Sequence, residues 1–379
     1  MRFLVFICLV TAILGLAALY LGARFIAASD WATAHRETVW LALAFFVVLQ
    51  LLGPTLYRVF PDRLNLMLAV HWVTYTALGV FTCFFFYSVA GDIVAAAWDA
   101  LFGPRLAHGV EFSAVASLAL VTVVVGFLQV ATGPKVYEVE VALHDLPRAF
   151  DGFRIVQITD LHLGPTAGRR FARKVARIAN RLEADVVALT GDFVDGTVAS
   201  LSSALEPLGA LRSREGLYCV LGNHEYYWGA PGWIEQFRSL GMRVLMNEHV
   251  LIERGGSVLA LAGVTDYSAG RMLRGYESDP KKAIRGAPAS AIKVLLAHHP
   301  ESFREAERAG FDLQLSGHTH GGQFFPFSLL VRLTHRYYKG LHRFRRLWIY
   351  VSRGTGYWGP PLRFGVPGEV TRIRLRRSA

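Results

Sequence analysis

The stretch Val156-Gln157-Ile158-Thr159-Asp160-Leu161-His162-Leu163 decides how this chain is read. An apolar run stops at an aspartate and a histidine two positions apart. A buried strand delivers such a pair from its carboxyl end into one cleft, and a carboxylate beside an imidazole suits a transition metal. One such end is a weak signal. Four more follow: Gly191-Asp192, Gly222-Asn223-His224-Glu225, Ala297-His298-His299-Pro300 and Gly317-His318-Thr319-His320, each after its own apolar run. Five in one chain are poorly explained by chance.

The runs around these ends alternate with helical patterns. Residues 136–141 alternate apolar and acidic side chains, as a half-exposed strand does. Residues 153–158, 185–189, 217–221, 292–296 and 312–315 read as further strands. Residues 169–182 read as a helix with Phe171, Val175, Ile178 and Leu182 on one face, and 200–211 and 301–309 as two more. Strands alternating with helices predict an α/β layered fold, with the strand-end residues gathered at the sheet's carboxyl edge. No sequence repeat or low-complexity tract interrupts it.

The region before this one, residues 1–132, is of another kind. Apolar runs at 3–21, 38–57, 66–90 and 112–131 each reach the roughly 20 residues needed to cross a bilayer. The first is longer than a usual signal-peptide core and is read as a span. Trp31, Trp40, Tyr57 and Trp98 sit near span ends, where interfacial aromatics belong. His71, Thr74 and Thr76 fall within the third span, and His71, near its end with no acidic partner nearby, is assigned to packing or an interfacial role. The segment 91–109 carries Ile93, Val94, Trp98, Leu101 and Phe102 at helical spacing and is expected to lie along the membrane surface. Arg2, Arg58 and Arg63 flank one side together with Lys135; Arg24, Arg36 and Arg105 flank the other. The bias is slight and favours a cytoplasmic position for residues 133–379.

Charge divides the same way. Residues 1–132 hold six basic and six acidic residues, and the rest holds 34 and 23, so the whole excess of +11 lies after residue 132. A basic domain beside a neutral apolar one suits anionic partners such as phosphorylated substrates or anionic lipid. No separate nucleic-acid module is evident. Of the three cysteines, Cys8 and Cys83 fall in the apolar runs, so Cys219 stands alone and no zinc pattern of paired cysteines exists.

The candidate ligands are Asp160, His162, Asp192, Asn223, His298, His318 and His320. Four imidazoles, two carboxylates and an amide oxygen suit two divalent ions, and mixed nitrogen and oxygen donors fit manganese, iron or zinc better than calcium. A pair of ions about 3.5–4 Å apart clamps phosphoryl oxygens. His299 competes with its neighbour His298 for one position.

In order and intact, Asp-x-His, Gly-Asp-x-x-Asp, Gly-Asn-His-Glu, His and Gly-His-x-His resemble a calcineurin-like metallophosphoesterase, over residues 153 to about 320. Leu315-Ser316-Gly317-His318-Thr319-His320-Gly321-Gly322-Gln323 and the 352–361 segment resemble the membrane-associated bacterial branch of that family. The resemblance implies that Asp160, His162, Asp192 and His320 hold one ion. Asp192, Asn223, His298 and His318 hold the other, with Asp192 bridging. It also implies that His224 faces the phosphate as the catalytic group, stabilising charge or protonating the leaving oxygen. Glu225 is placed to orient His224 or to pair elsewhere, and Asp195 completes the motif with its role open.

The function this implies is a membrane-anchored hydrolase of a phosphate ester or pyrophosphate, embedded in the inner membrane. Four spans favour a lipid-linked substrate, and the resemblance brings in UDP-2,3-diacylglucosamine as one candidate. A phosphodiesterase or nuclease acting on soluble substrates is the alternative. A non-catalytic sensor or scaffold is a third reading, disfavoured because no ligand is missing. Residues 324–348 mix Phe324, Phe325, Phe327, Leu329, Leu330 and Leu333 with six basic side chains. That mixture suits a segment lying on a membrane surface, and equally a flap that accommodates a lipid chain or a core-packing segment with a solvated edge; the first is the expectation carried forward.

Overall fold

The structure, a computed structural model, describes residues 2–60, 64–103 and 108–378. Arg63 and Arg105, named above as topology signals, lie outside the described residues, as does the side chain of Arg2. Chain contacts divide the molecule into two units. One holds residues 1–128 with Gly359–Phe364, and the other holds Gln129–Trp358 with Gly365–Ala379.

The first unit is helical. Its long helices are Arg2–Ala28, Arg36–Val59, Leu64–Phe102 and His108–Thr132, the last running into the second unit, and all four are long and apolar enough to cross a membrane. The third corrects the reading of 91–109. Residues 91–102 do not leave the span to form a separate surface segment but continue one helix of 39 residues. Three consecutive alanines, Ala95 to Ala97, and no proline offer it no reason to stop. At 1.5 Å per residue it is about 58 Å long, roughly twice an apolar bilayer core.

Arg24 does not stand as a free flanking charge. Its guanidinium lies 3.0 Å from Asp92, which the Tyr20 hydroxyl also reaches. His71 is buried, with Nδ1 2.9 Å from the Met67 carbonyl and its ring edge-on to Tyr57 and Tyr75, so packing accounts for it. The segment Gly359–Phe364 packs among these helices. Leu362 lies against Gly79, where a Cβ would collide with it, and close to Gly126, and the Arg363 N–H donates to the Gly126 carbonyl at 3.2 Å.

The second unit is built on two six-stranded sheets. In chain order the strands are β1 (Lys135–Leu143), β2 (Arg154–Ile158), β3 (Val186–Thr190), β4 (Leu217–Val220), β5 (Arg243–Val244), β6 (Glu248–Arg254), β7 (Ser257–Gly263), β8 (Ile292–Leu296), β9 (Leu313–Ser316), β10 (Gly340–Phe344), β11 (Leu347–Val351) and β12 (Glu369–Arg377). One sheet runs β1-β12-β2-β3-β4-β5, the other β10-β11-β9-β8-β7-β6. Parallel pairing joins β2 to β3 to β4 and, in the second sheet, β7 to β8 to β9. Ile155, Val186, Ala188 and Val220 of the first sheet share one buried core with Leu261, Val294, Leu296 and Leu315 of the second. Strands buried on both faces read as continuous apolar runs, which is why 186–190 and 292–296 look alike in sequence.

Two expectations change here. The strand ends converge from two sheets rather than one, because an apolar run does not reveal which sheet it joins. The stretch 324–348 is also not one membrane-lying segment. Its second half forms β10 and β11, whose Leu347 and Ile349 are buried, and the Trp348 indole donates to the Ala142 carbonyl. The Phe327–Thr334 helix stays at the surface and buries none of its residues, and Arg343, Arg345 and Arg346 of the strand half are exposed as well.

Candidate metal centre

All seven candidate ligands lie at carboxyl ends. Asp160 and His162 follow β2, Asp192 follows β3, Asn223 follows β4, His298 follows β8, and His318 and His320 follow β9. The loops are laced together by backbone bonds: Asp160 N–H to Gly191 O at 2.9 Å, His162 N–H to Asp192 O at 3.1 Å, and Gly317 N–H to His298 O at 2.9 Å. This lacing forces unusual backbone. Asp160, His162, Asp192, His318 and His320 have φ of 53°, 48°, 55°, 72° and 51°. Such left-handed residues cost roughly 1–3 kcal/mol each and concentrate at functional sites. Two glycines are required as well. A Cβ on Gly222 would strike the Asp192 carboxylate, and one on Gly317 would strike that of Asp160.

The side chains gather into two groups with one member in common. In the first, His162 Nε2 is 3.0 Å from His320 Nε2, which is 3.6 Å from Asp160 Oδ1. In the second, His298 Nε2 is 3.1 Å from Asp192 Oδ2 and 3.3 Å from His318 Nδ1, and His318 Nδ1 is 3.1 Å from Asn223 Oδ1. Asp192 Oδ2 also lies 3.9 Å from His162 Nε2, so it faces both groups.

These residues fit cations. Asp160 is fully buried; its Oδ1 accepts the His318 N–H at 2.9 Å, while Oδ2 has no hydrogen-bond partner. An orphaned carboxylate oxygen in the interior is expensive unless a cation meets it, and burial, with nearby Asp192 adding to it, raises the Asp160 pKa. In Asp192 the oxygens divide in the same manner: Oδ1 accepts the His224 N–H at 2.9 Å and Oδ2 faces the imidazoles. His298 directs Nδ1 to the Thr190 carbonyl at 2.8 Å, leaving Nε2 as the inward atom. Burial, together with neighbouring His299 and His298, holds His318 well below its ordinary pKa, so the ring is neutral with a lone pair to give.

His224 stands at the edge of this cluster, with Nε2 3.9 Å from Asp192 Oδ2. Its Nδ1 is 2.5 Å from Asp195 Oδ1, and Asp195 also meets His162 Nδ1 at 3.1 Å. Burial opposes a charge on the His224 ring, but Asp192 and Asp195 outweigh it and raise the pKa to about 9. Asp195 therefore orients His224, a role the sequence left open. Glu225 does not orient it. Its carboxylate accepts the backbone N–H groups of Asp192, Phe193 and Gly222 at 3.0, 2.7 and 2.7 Å, tying the β3 loop to the β4 loop.

His299 packs against other rings. Its ring lies 4.0 Å from that of His318 and 5.3 Å from that of Tyr267, and burial with His298 and His335 nearby lowers its pKa to about 3. Two further sets lie close enough to share an ion: His162, Asp192 and His224, and His299, His318 and His335. The His299 ring packs on that of His318 at a tilt of 33°. Asp266 was missed in the sequence. It follows β7, is buried, leaves Oδ2 without a hydrogen-bond partner, and favours the charged form of His298. The signal was present as one more apolar run ending in an acid, Leu259 to Asp266.

Residues 153–322 match the calcineurin-like phosphoesterase family. A zebrafish (Danio rerio) "transmembrane protein with metallophosphoesterase domain" is 39% identical over 270 residues, covering 69% of this chain and 62% of that protein. An uncharacterized metallophosphoesterase of Helicobacter pylori is also 39% identical, over 252 residues and 66% of each chain. Another, of Campylobacter jejuni, is 30% identical over 389 residues and 99% of each. The chain thus spans about six-tenths of the zebrafish relative and nearly all of the Campylobacter one, including its N-terminal part.

Proposed function

This chain belongs to the calcineurin-like metallophosphoesterase family, and from that premise we propose that it is a membrane-anchored phosphohydrolase. Residues 1–132 form its membrane region and 133–379 its catalytic domain, on the cytoplasmic side of the inner membrane. Two divalent ions, of the manganese, iron or zinc kind, are held by the two groups of donors: Asp160, His162, Asp192 and His320, and Asp192, Asn223, His298 and His318. When bound they supply Lewis acidity toward phosphoryl oxygens and lower the pKa of the attacking water.

The remaining work falls to the chain. His224, its Nδ1 held by Asp195, keeps Nε2 for the phosphoryl group. There the ring stabilises developing charge and donates a proton to the leaving oxygen. Asp192 and Asp195 together favour the protonated form of the ring, which can donate. Glu225 keeps Asp192 and His224 in register by fixing the backbone on both sides. The lacing of the strand-end loops sets the donors before substrate arrives, so little reorganisation accompanies binding.

The substrate is a phosphate ester or pyrophosphate on a lipid-linked molecule, with UDP-2,3-diacylglucosamine as the concrete candidate. Four apolar helices support this, because they hold the domain at a bilayer. The observation that carries the catalytic reading is the single carboxylate, Asp192, facing both donor groups. The test is a screen of purified full-length protein in detergent with Mn²⁺, against lipid-linked and soluble phosphate compounds. Hydrolysis that vanishes in Asp192→Asn is expected. Equal turnover by that variant would overturn the reading.

A further inference from the structure

The rim of the metal centre is unlike its interior. Trp358 is 53% exposed, and its ring lies 5.9 Å from that of His224. Gln323 locks it in place. The Trp358 N–H donates to Gln323 Oε1 at 2.8 Å and the Gln323 amide donates to the Trp358 carbonyl at 2.9 Å. Gln323 itself follows His320 by three residues, and Phe325, 40% exposed, comes next but one.

The Phe327–Thr334 helix then carries Leu329, Leu330 and Leu333 outward, Leu333 being 84% exposed. Its far end returns to the site, where the His335 ring comes within 6.1 Å of His318 and 6.2 Å of His299. Both ends of an apolar surface helix are therefore pinned to the catalytic centre. Exposed leucines on a helix that buries nothing call for a partner.

Charge identifies the partner. From Leu313 to Gly368 there are 56 consecutive residues with no aspartate or glutamate, and they contain seven arginines and one lysine. Arg332 and Arg336 are exposed beside the leucines. Arg345 and Arg353 pair with Glu307 and Glu369 and Arg363 is buried, so the exposed Arg332 and Arg336 carry the argument. Leucine and aromatic side chains next to exposed basic ones are the composition of a segment lying in a headgroup layer. A bilayer is already implied by the four apolar helices of the same chain.

We propose that Trp358, Phe325 and the Phe327–Thr334 helix dock on the anionic bilayer, so that the mouth of the metal centre opens onto the lipid surface. A phosphate carried on a lipid would reach His224 by lateral movement, without leaving the membrane. This rests on the lipid-linked reading above and adds to it the surface through which the substrate enters.

The test uses the full-length protein in vesicles of phosphatidylethanolamine and phosphatidylglycerol. In a Cys8→Ser background, Leu333→Cys is labelled with an environment-sensitive fluorophore. Glu215→Cys serves as the control, since Glu215 is exposed before the amino end of β4, opposite to the strand ends that carry the ligands. Quenchers attached to lipid tails should quench the Leu333 label at least threefold more than the control. Equal quenching at both positions overturns docking, whatever the substrate is.

Activity provides the second readout. Leu330→Glu with Leu333→Glu should slow turnover of a vesicle-embedded lipid pyrophosphate at least tenfold, while hydrolysis of soluble bis(p-nitrophenyl) phosphate stays within twofold. The soluble reaction reports that the variant is folded. Equal slowing of both reactions, or of neither, counts against docking. A lipid-quenched label in a protein that cleaves no embedded substrate would sink the lipid-linked reading and leave docking in place.

Discussion

The interior of the metal centre and its rim follow opposite rules. Inside, every element is fixed: Asp160 and Asp192 each give one oxygen to a backbone N–H. Five of the seven ligand candidates hold strained backbone, and glycine is the only residue that fits beside them. At the rim, Trp358, Tyr227 and Tyr267 are half exposed, and the adjoining leucines touch little protein. The interior is arranged for a reaction whose geometry does not vary. The rim is arranged for contact with something outside the chain. Relatives of this chain can share the first while differing in the second, which is why family membership speaks for phosphoester chemistry more strongly than for any one substrate.

The largest effects should come from the interior. Stripping divalent ions with a chelator should abolish hydrolysis, and Mn²⁺ or a similar ion should restore it. Turnover that persists in metal-free protein would break the two-ion reading. Asp192→Asn should lower turnover by more than about 100-fold, above what losing a supporting partner of a ligand costs. Metal analysis should find both ions depleted, because this one carboxylate faces both groups.

His224→Ala should come next, with turnover reduced about 10²- to 10⁴-fold and the metal content unchanged. The ring lies against Asp192 but binds through Asp195, so its removal leaves the donor groups whole. Loss of one ion in this variant would mean that His224 is a ligand. Asp195→Asn should cost less, about 10- to 100-fold. It should lower kcat through His224 and weaken the ion near His162, since Asp195 meets Nδ1 of both rings.

Much of this interior was legible in the sequence. Asp160, His162, Asp192, Asn223, His298, His318 and His320 each stand just after an apolar run, and that position is a local property a sequence carries. What stayed hidden depends on contacts between distant segments. Nothing near Glu225 shows that its carboxylate reaches back 33 positions to the Asp192 N–H, or that Asp195 lies under two imidazoles. The division into two sheets was hidden for the same reason, since β3 and β8 are equally apolar. In 324–348 the composition of a surface helix and of a sheet edge is alike, and only pairing of β11 with β9 separates them.

The smallest expected effect lies where interior and rim meet, at His299. Its neighbour His298 faces Asp192 at 3.1 Å, whereas the His299 ring packs against those of His318 and Tyr267 and its Nδ1 accepts the Glu301 N–H at 3.3 Å. His299→Ala should therefore remove ring packing and one local hydrogen bond but no ligand. Turnover should fall only a few-fold, in line with the roughly 0.5–1.5 kcal/mol that a stacked aromatic pair contributes, and metal content should hold. His298→Ala should lose an ion and most activity. Measuring both variants under one set of conditions separates the adjacent histidines. If His299→Ala loses metal and His298→Ala does not, the second donor group has been drawn one residue out of place. If both lose metal, His299, His318 and His335 are a working part of the centre, and the boundary between fixed interior and open rim must move outward to include them.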